Sequence, residues 1–234
     1  MFPFFYYFDP TYMLVLIGAM ICIIASGYVN SSMRKYHGIR NARGLTGGQA
    51  AEEILSRQGI YDVRVECQQR GSGDHYDPAS KTVRLSYENY HSASVTAVAV
   101  AAHECGHAAQ HQEGYAPLKF RTTLVPVVNI GSVIGLPLII LGVVLSWNQV
   151  LIQIGIWAFA LAVLFQLITL PVEFNASRRA LQTLEGNGIL GVDENRGAKK
   201  VLSAAALTYV AAAASSILQL LRLILLFGGN RRRD

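Results

Sequence analysis

The chain has 234 residues, 52% of them hydrophobic and 15% charged, with a mean hydropathy of +0.32. A charged fraction so far below the roughly 25% of soluble domains excludes an ordinary soluble protein and points to an integral membrane protein with a modest aqueous part. The net charge of +5 comes without a basic stripe interleaved with aromatics, so no nucleic-acid partner is expected; Lys and Arg flanking membrane spans account for it. Cys22, Cys67 and Cys105 are odd in number, widely spaced and without a CxxC, which argues against a disulfide framework and for a reducing compartment.

Pro10 to Met33 carries no charge and is long enough to span a bilayer, which takes about 20 residues. It has no positive start and too long an apolar part for a cleaved leader, so residues 10–33 read as a transmembrane anchor. Tyr6, Tyr7, Tyr12 and Tyr28 are its candidate interfacial aromatics. Residues 34–121 read as an aqueous section. Thr46 and Gln49 form a capping-box pattern, opening a short helix that Gly59 ends. "YDVRVEC" and "KTVRLSY" alternate as strands do, with Val83 and Leu85 on one face, and "RGSGDHYDPASK" between them is dense in turn formers. Ser92 or Ser94 then caps a helix reaching about His111.

Arg121 and Glu173 bracket an uncharged run long enough for two spans, so residues 122–172 read as a transmembrane hairpin turning at "SWNQ". Residues 173–200 follow as a polar helix stopped at Gly186 to Gly188 and a linker, with Asp193 as the cap of a last helix. Residues 201–228 continue that helix as an apolar segment whose crossing the sequence leaves open. Segments 34–121 and 174–200 share one side of such a hairpin and hold 16 of the 20 Lys and Arg, which places that side in the cytoplasm. The C-terminal "RRRD" would break this rule if the last helix crosses.

The chemistry concentrates in "AVAVAAHECGHAAQHQEGY". On a helix, His103 and His107 lie about 40° apart and one turn up, so both imidazoles can address one metal ion. Glu104, rotated about 100° from His103, is placed to hold a water and take its proton rather than to ligate. This is the HExxH spacing of zinc peptidases. Chance matches to so short a pattern occur, but two histidines and a carboxylate among small apolar residues are costly to bury without a role. Cys105 points about 200° away from His103 and reads as packing. A catalytic zinc site takes three protein ligands. His111 lies about 12 Å along the axis from His103, out of reach of a shared ion. Asp74, His75 and Asp77 in the turn-rich stretch are candidates; Glu173, returned to the same side by the hairpin, is the stronger one. Its bland alternative is a charge marking the end of a span.

"FDPTY", "GLTGGQAAEEIL", "DHYDP", "VRLS", "SVTAVAVAAHECGHAAQ", "PVEFNASRRAL" and "KKVLSAAALTYVAAA" together resemble the bacterial YugP-like neutral zinc metallopeptidases, membrane proteins related in motif to the HtpX and CAAX-prenyl proteases. The resemblance implies a gluzincin arrangement with Glu173 as third ligand. HtpX-like enzymes follow that glutamate with an Ala-Asp pair; here Ala176 is followed by Ser177, so the aspartate is lacking, and Asn175 is the neighbouring polar residue.

The expected architecture is a multi-spanning helical membrane protein with a zincin-like α+β part, its HExxH helix beside a small sheet. The expected function is a zinc-dependent metalloendopeptidase of the bacterial plasma membrane: one Zn2+ held by His103, His107 and Glu173, Glu104 as general base, and the site on the cytoplasmic side. Its partners would be the lipid bilayer and a peptide or membrane-protein substrate, and homo-oligomerisation in the membrane is compatible with the apolar content. "KTVRLS" is a candidate for the strand that pairs with substrate backbone, and His75, Tyr76, Arg178 and Arg179 for oxyanion stabilisers, although a juxtamembrane positive pair is the simpler reading of the two arginines. Two rivals are an intramembrane site-2-type zinc protease and a non-catalytic membrane scaffold with structural zinc.

Overall fold

The computed structural model describes residues 9–69, 71 and 73–228, so Tyr6, Tyr7 and the C-terminal arginine run lie outside the described residues. In chain order the elements are α1 (Tyr12–His37), α2 (Gly47–Arg57), β1 (Arg64–Cys67), β2 (His75–Asp77), β3 (Thr82–Leu85), α3 (Tyr87–His91), α4 (Val95–Gln112), α5 (Ala116–Val144), α6 (Gln149–Gly186) and α7 (Val192–Phe227). They form two compact units. One collects the residues up to Ala25, Phe120–Thr169 and those from Thr208 on; the other takes Ser26–Lys119 and Leu170–Leu207.

In the first unit, α1, α5, α6 and α7 are each long and apolar enough to cross a membrane. Their outward side chains are ones that water rejects, such as Ile23 and Trp157, both more than 70% exposed. α7 runs antiparallel to α1 along this whole unit. Arg222 near its end meets Asp9 at 3.2 Å and stacks over Tyr12, and Cys22 donates to the Ala211 carbonyl. Between those contacts Gly18 lies so near α7 that a Cβ would come 2.7 Å from Ser215 Oγ, the small-residue approach typical of helices in lipid. α7 therefore extends through this unit as far as α1 does. α5 and α6 pack through Ile139, Ile152 and Ile156, joined by Leu223 of α7.

The second unit is built around α4. Fifteen of its eighteen residues are buried, and Val95 to Ala102 are buried on every face, which is why the segment lacks an amphipathic stripe. Ser94 caps it by accepting from the Ala97 amide, and Thr46 and Gln49 form the expected capping box of α2. The core joins Ile54 and Leu55 of α2, Val83 and Leu85 of β3, Val98 and Ala102 of α4, and Leu184 and Val201 of α6 and α7.

The sheet runs β1-β3-β2, with β1 parallel and β2 antiparallel to β3. β3, the "KTVRLS" strand, is thus central. Both its edges are paired, so it is not the strand that could accept a substrate backbone. β2 arises inside "RGSGDHYDPASK", where three paired residues are too few to show alternation among turn formers. Two further readings are revised. The polar helix after Glu173 is no separate element: α6 runs unbroken across it, accommodating Pro171 within the helix. Asp193 sits inside the first turn of α7 rather than capping it; the Glu194 carboxylate reaches back to the Gly191 amide at 2.7 Å.

Asp77 pins the β2–β3 turn. It accepts from Ser80 Oγ, the Arg84 guanidinium and the Ala79 amide, and these contacts hold its carboxyl well below the usual carboxylate range. Because its pKa is depressed by folding, this contribution is present above the unfolded value near about 4 and is lost as pH falls through the folded one. Protection of the Thr82 to Leu85 amides, measured against their intrinsic exchange rate at each pH, is expected to fall below about pH 4 in wild type, and to lose most of that pH dependence in Asp77→Asn.

Candidate metal centre

α4 presents His103 and His107 on one face, their rings 4.7 Å apart between centroids and nearly perpendicular. α6 brings Glu173 to the same point. Its Oε2 lies 3.2 Å from His103 Nε2 and 3.6 Å from His107 Nε2. The three residues offer ligand atoms all within 4.8 Å of one another, and no other group of three His, Cys, Asp or Glu converges so among the described residues. Glu173 is only 3% exposed and His107 8%.

Backbone proximity makes this possible. A Cβ on Gly106 would sit 2.6 Å from the Ala176 carbonyl oxygen, so α4 and α6 touch main chain to main chain within one turn of these three residues. The sequence pattern gave Gly106 no role; the "CG" inside HECGH is where the helices meet. Cys105 points the other way, its thiol against the Ala51 carbonyl of α2, and burial pushes its pKa up.

Each imidazole is tied at its far nitrogen. His103 Nδ1 is 3.2 Å from Ser177 Oγ, one turn beyond Glu173 on α6. His107 Nδ1 is 3.0 Å from Gln110 Oε1. Ser177 thus contacts His103, while Asn175 serves Gln110, accepting from it at 2.9 Å. Supporting hydrogen bonds of this kind aim histidines at metals. Burial disfavours the His107 imidazolium, but the nearby Glu173 and Glu104 carboxylates outweigh it and raise its pKa above the ordinary histidine value. Two imidazoles and a carboxylate are the donor set of a catalytic zinc site, and converging Nε2 atoms beside a buried carboxylate fit such an ion.

Glu104 is 7% exposed and forms no hydrogen bond or ion pair among the described residues, so its carboxylate is unengaged. The turn-rich candidates go elsewhere. Asp74 accepts from the Ser86 amide and hydroxyl and from Asn89, Asp77 holds its own turn, and His75 contacts Gln68 and the Gly73 carbonyl. Tyr76 hydroxyl meets His111 Nδ1 at 2.8 Å; burial first, then the charges of Asp62 and Asp77, push its pKa up to about 12. Of the two arginines read as a plain positive pair, Arg179 is instead fixed in a two-pronged ion pair with Glu113. Gln110 has no signal in sequence beyond being a polar residue one turn after His107.

Gly106→Ala tests the close approach. The added methyl must displace backbone, so unfolding in detergent is expected to show a loss of about 1–3 kcal/mol; an unchanged midpoint would mean α6 yields freely.

A model for a family described as "Putative neutral zinc metallopeptidase" matches residues 11–228. "Putative membrane protease YugP" of Bacillus subtilis is 49% identical over 182 residues, which cover 78% of this chain and 80% of that protein. No solved structure matches the chain.

Proposed function

The chain belongs to the neutral zinc metallopeptidase family, and from that premise we propose that it is a membrane-bound zinc endopeptidase in which His103, His107 and Glu173 hold the ion and Glu104 is the general base. The observation that carries this reading is the convergence of three potential ligand atoms within 4.8 Å, two of them on buried residues, beside an unengaged carboxylate. When bound, zinc supplies Lewis-acid polarisation of a peptide carbonyl and makes water acidic enough to deprotonate near neutral pH.

The chain's own residues do the rest. Glu104 Oε atoms take the proton from the attacking water and deliver it to the leaving amine nitrogen. Water is the nucleophile, so no covalent enzyme intermediate forms. Ser177 and Gln110 hold the two imidazoles in place. Glu173, on a helix that packs against α4 without intervening side chains, supplies the negative charge that offsets a dication. The arrangement is of the zincin type, with the HExxH helix beside a small sheet.

The four long apolar helices support an activity at a bilayer. Substrates are then membrane proteins or peptides close to the lipid surface. The unit with the site carries most of the Lys and Arg, which favours the cytoplasmic face of the plasma membrane. The intramembrane rival loses ground because α4 is not among the helices apolar and long enough to span. A structural zinc is disfavoured because the one nearby thiol, Cys105, faces α2.

Metal analysis of detergent-purified protein is the test. Wild type is expected to hold about one zinc per chain and to cleave a casein-type substrate. Glu173→Ala should lose most of the metal, whereas Glu104→Gln should keep it and lose at least about 100-fold in hydrolysis. Full zinc in Glu173→Ala would remove the third ligand from this scheme.

A further inference from the structure

Gln110 is fully buried and bonded at both ends of its amide. On one side it meets Val172 O at 2.8 Å and Asn175 Oδ1 at 2.9 Å; on the other it meets His107 Nδ1 at 3.0 Å. These contacts have a polarity that can be worked out link by link. Arg179 Nε, 2.7 Å from Asn175, can only donate, so the Asn175 atom it meets is oxygen. That oxygen and the Val172 carbonyl are both acceptors. The Gln110 atom facing them is therefore the NH2, and the atom facing His107 is the carbonyl oxygen. An oxygen there requires a proton on His107 Nδ1, so in the neutral imidazole the lone pair is on Nε2, the nitrogen that faces Glu173.

We infer that Arg179, Asn175 and Gln110 are positioning residues forming one relay that sets the tautomer of His107 and so prepares its Nε2 to ligate. The inference rests on the zinc-site reading above and deepens it. At its outer end the relay is locked by the ion pair of Arg179 with Glu113, at 2.6 and 2.7 Å. Glu113 faces solvent on the turn that ends α4, so a surface charge pair reinforces, through Asn175, the sense that the Val172 carbonyl also imposes on Gln110. His103 has no such lock: the Ser177 hydroxyl at its Nδ1 both donates and accepts, and rotates to suit either tautomer. The two histidines of one motif are thus prepared differently, His107 before any ion arrives and His103 on binding it.

The test uses the full chain in detergent, with nitrogen-15-labelled histidine and zinc as the probe. Two readouts are taken: the His107 tautomer of the metal-free protein at alkaline pH, and the zinc dissociation constant by chelator competition. Wild type should carry the proton on Nδ1. Gln110→Met, similar in volume but unable to accept, should shift His107 toward the Nε2-protonated form and weaken zinc about 10- to 100-fold. Arg179→Met should move both readouts in the same direction by a smaller factor, and Arg179→Lys, which still donates, should restore them. If Gln110→Met does not fold, the Arg179 pair decides, because that side chain is partly exposed. A wild-type proton on Nε2, or Arg179→Met identical to wild type in both readouts, overturns the relay. A merely structural Gln110 would lower the unfolding midpoint and leave the tautomer unmoved. Failure of wild type to bind zinc would sink the metallopeptidase proposal, and the tautomer would still report on the relay.

Discussion

The site depends on two helices touching without side chains between them. Glu173 is short, and it reaches the imidazoles of His103 and His107 only because Gly106 admits the Ala176 carbonyl against the α4 backbone. A methyl at that point would have to push the helices apart. Once the carboxylate and the imidazoles are that close, the neighbouring turn of α6 falls into register behind them. Ser177 meets His103, and Asn175 meets Gln110. One steric allowance therefore carries the His–His–Glu cluster and its support together.

Burying such a cluster runs against the cost of desolvating charge. A carboxylate 3% exposed is tolerable only with opposite charge at hand, from protonated imidazole or from a cation. The surrounding polar groups are satisfied in sequence: Gln110 by the Val172 carbonyl and Asn175, Asn175 by Arg179, and Arg179 by Glu113 at the surface. A network fully paired in this way fixes its members rather than leaving them to choose partners.

The helices that carry the site also carry the apolar segments. α6 contributes Val163 and Thr169 to one unit and Glu173 and Ser177 to the other, with no break at Pro171. α7 does the same in reverse order, and its contacts with Asp9 and with Gly18 and Cys22 of α1 show that it runs alongside that segment.

Local spacing is what the sequence by itself determined. His103 and His107 at i and i+4 share a face on any α-helix, the Thr46–Gln49 box and a serine cap at Ser92 or Ser94 are matters of a few residues, and apolar runs free of charge declare long helices by length alone. Glu173 was legible as a candidate because it ends such a run. Tertiary structure decided whatever depends on approach between distant segments. It brought Glu173 to the two histidines and engaged Asp74, His75 and Asp77 with other partners. It made β3 central by pairing it with a three-residue strand that no periodicity could reveal. And it gave meaning to Gly106, Gln110, Ser177 and Arg179, whose roles are set by what lies across from them. A periodic pattern encodes which face a side chain occupies; the partner on the facing element, about 70 positions along the chain in the case of His103 and Glu173, is fixed only when the backbones meet.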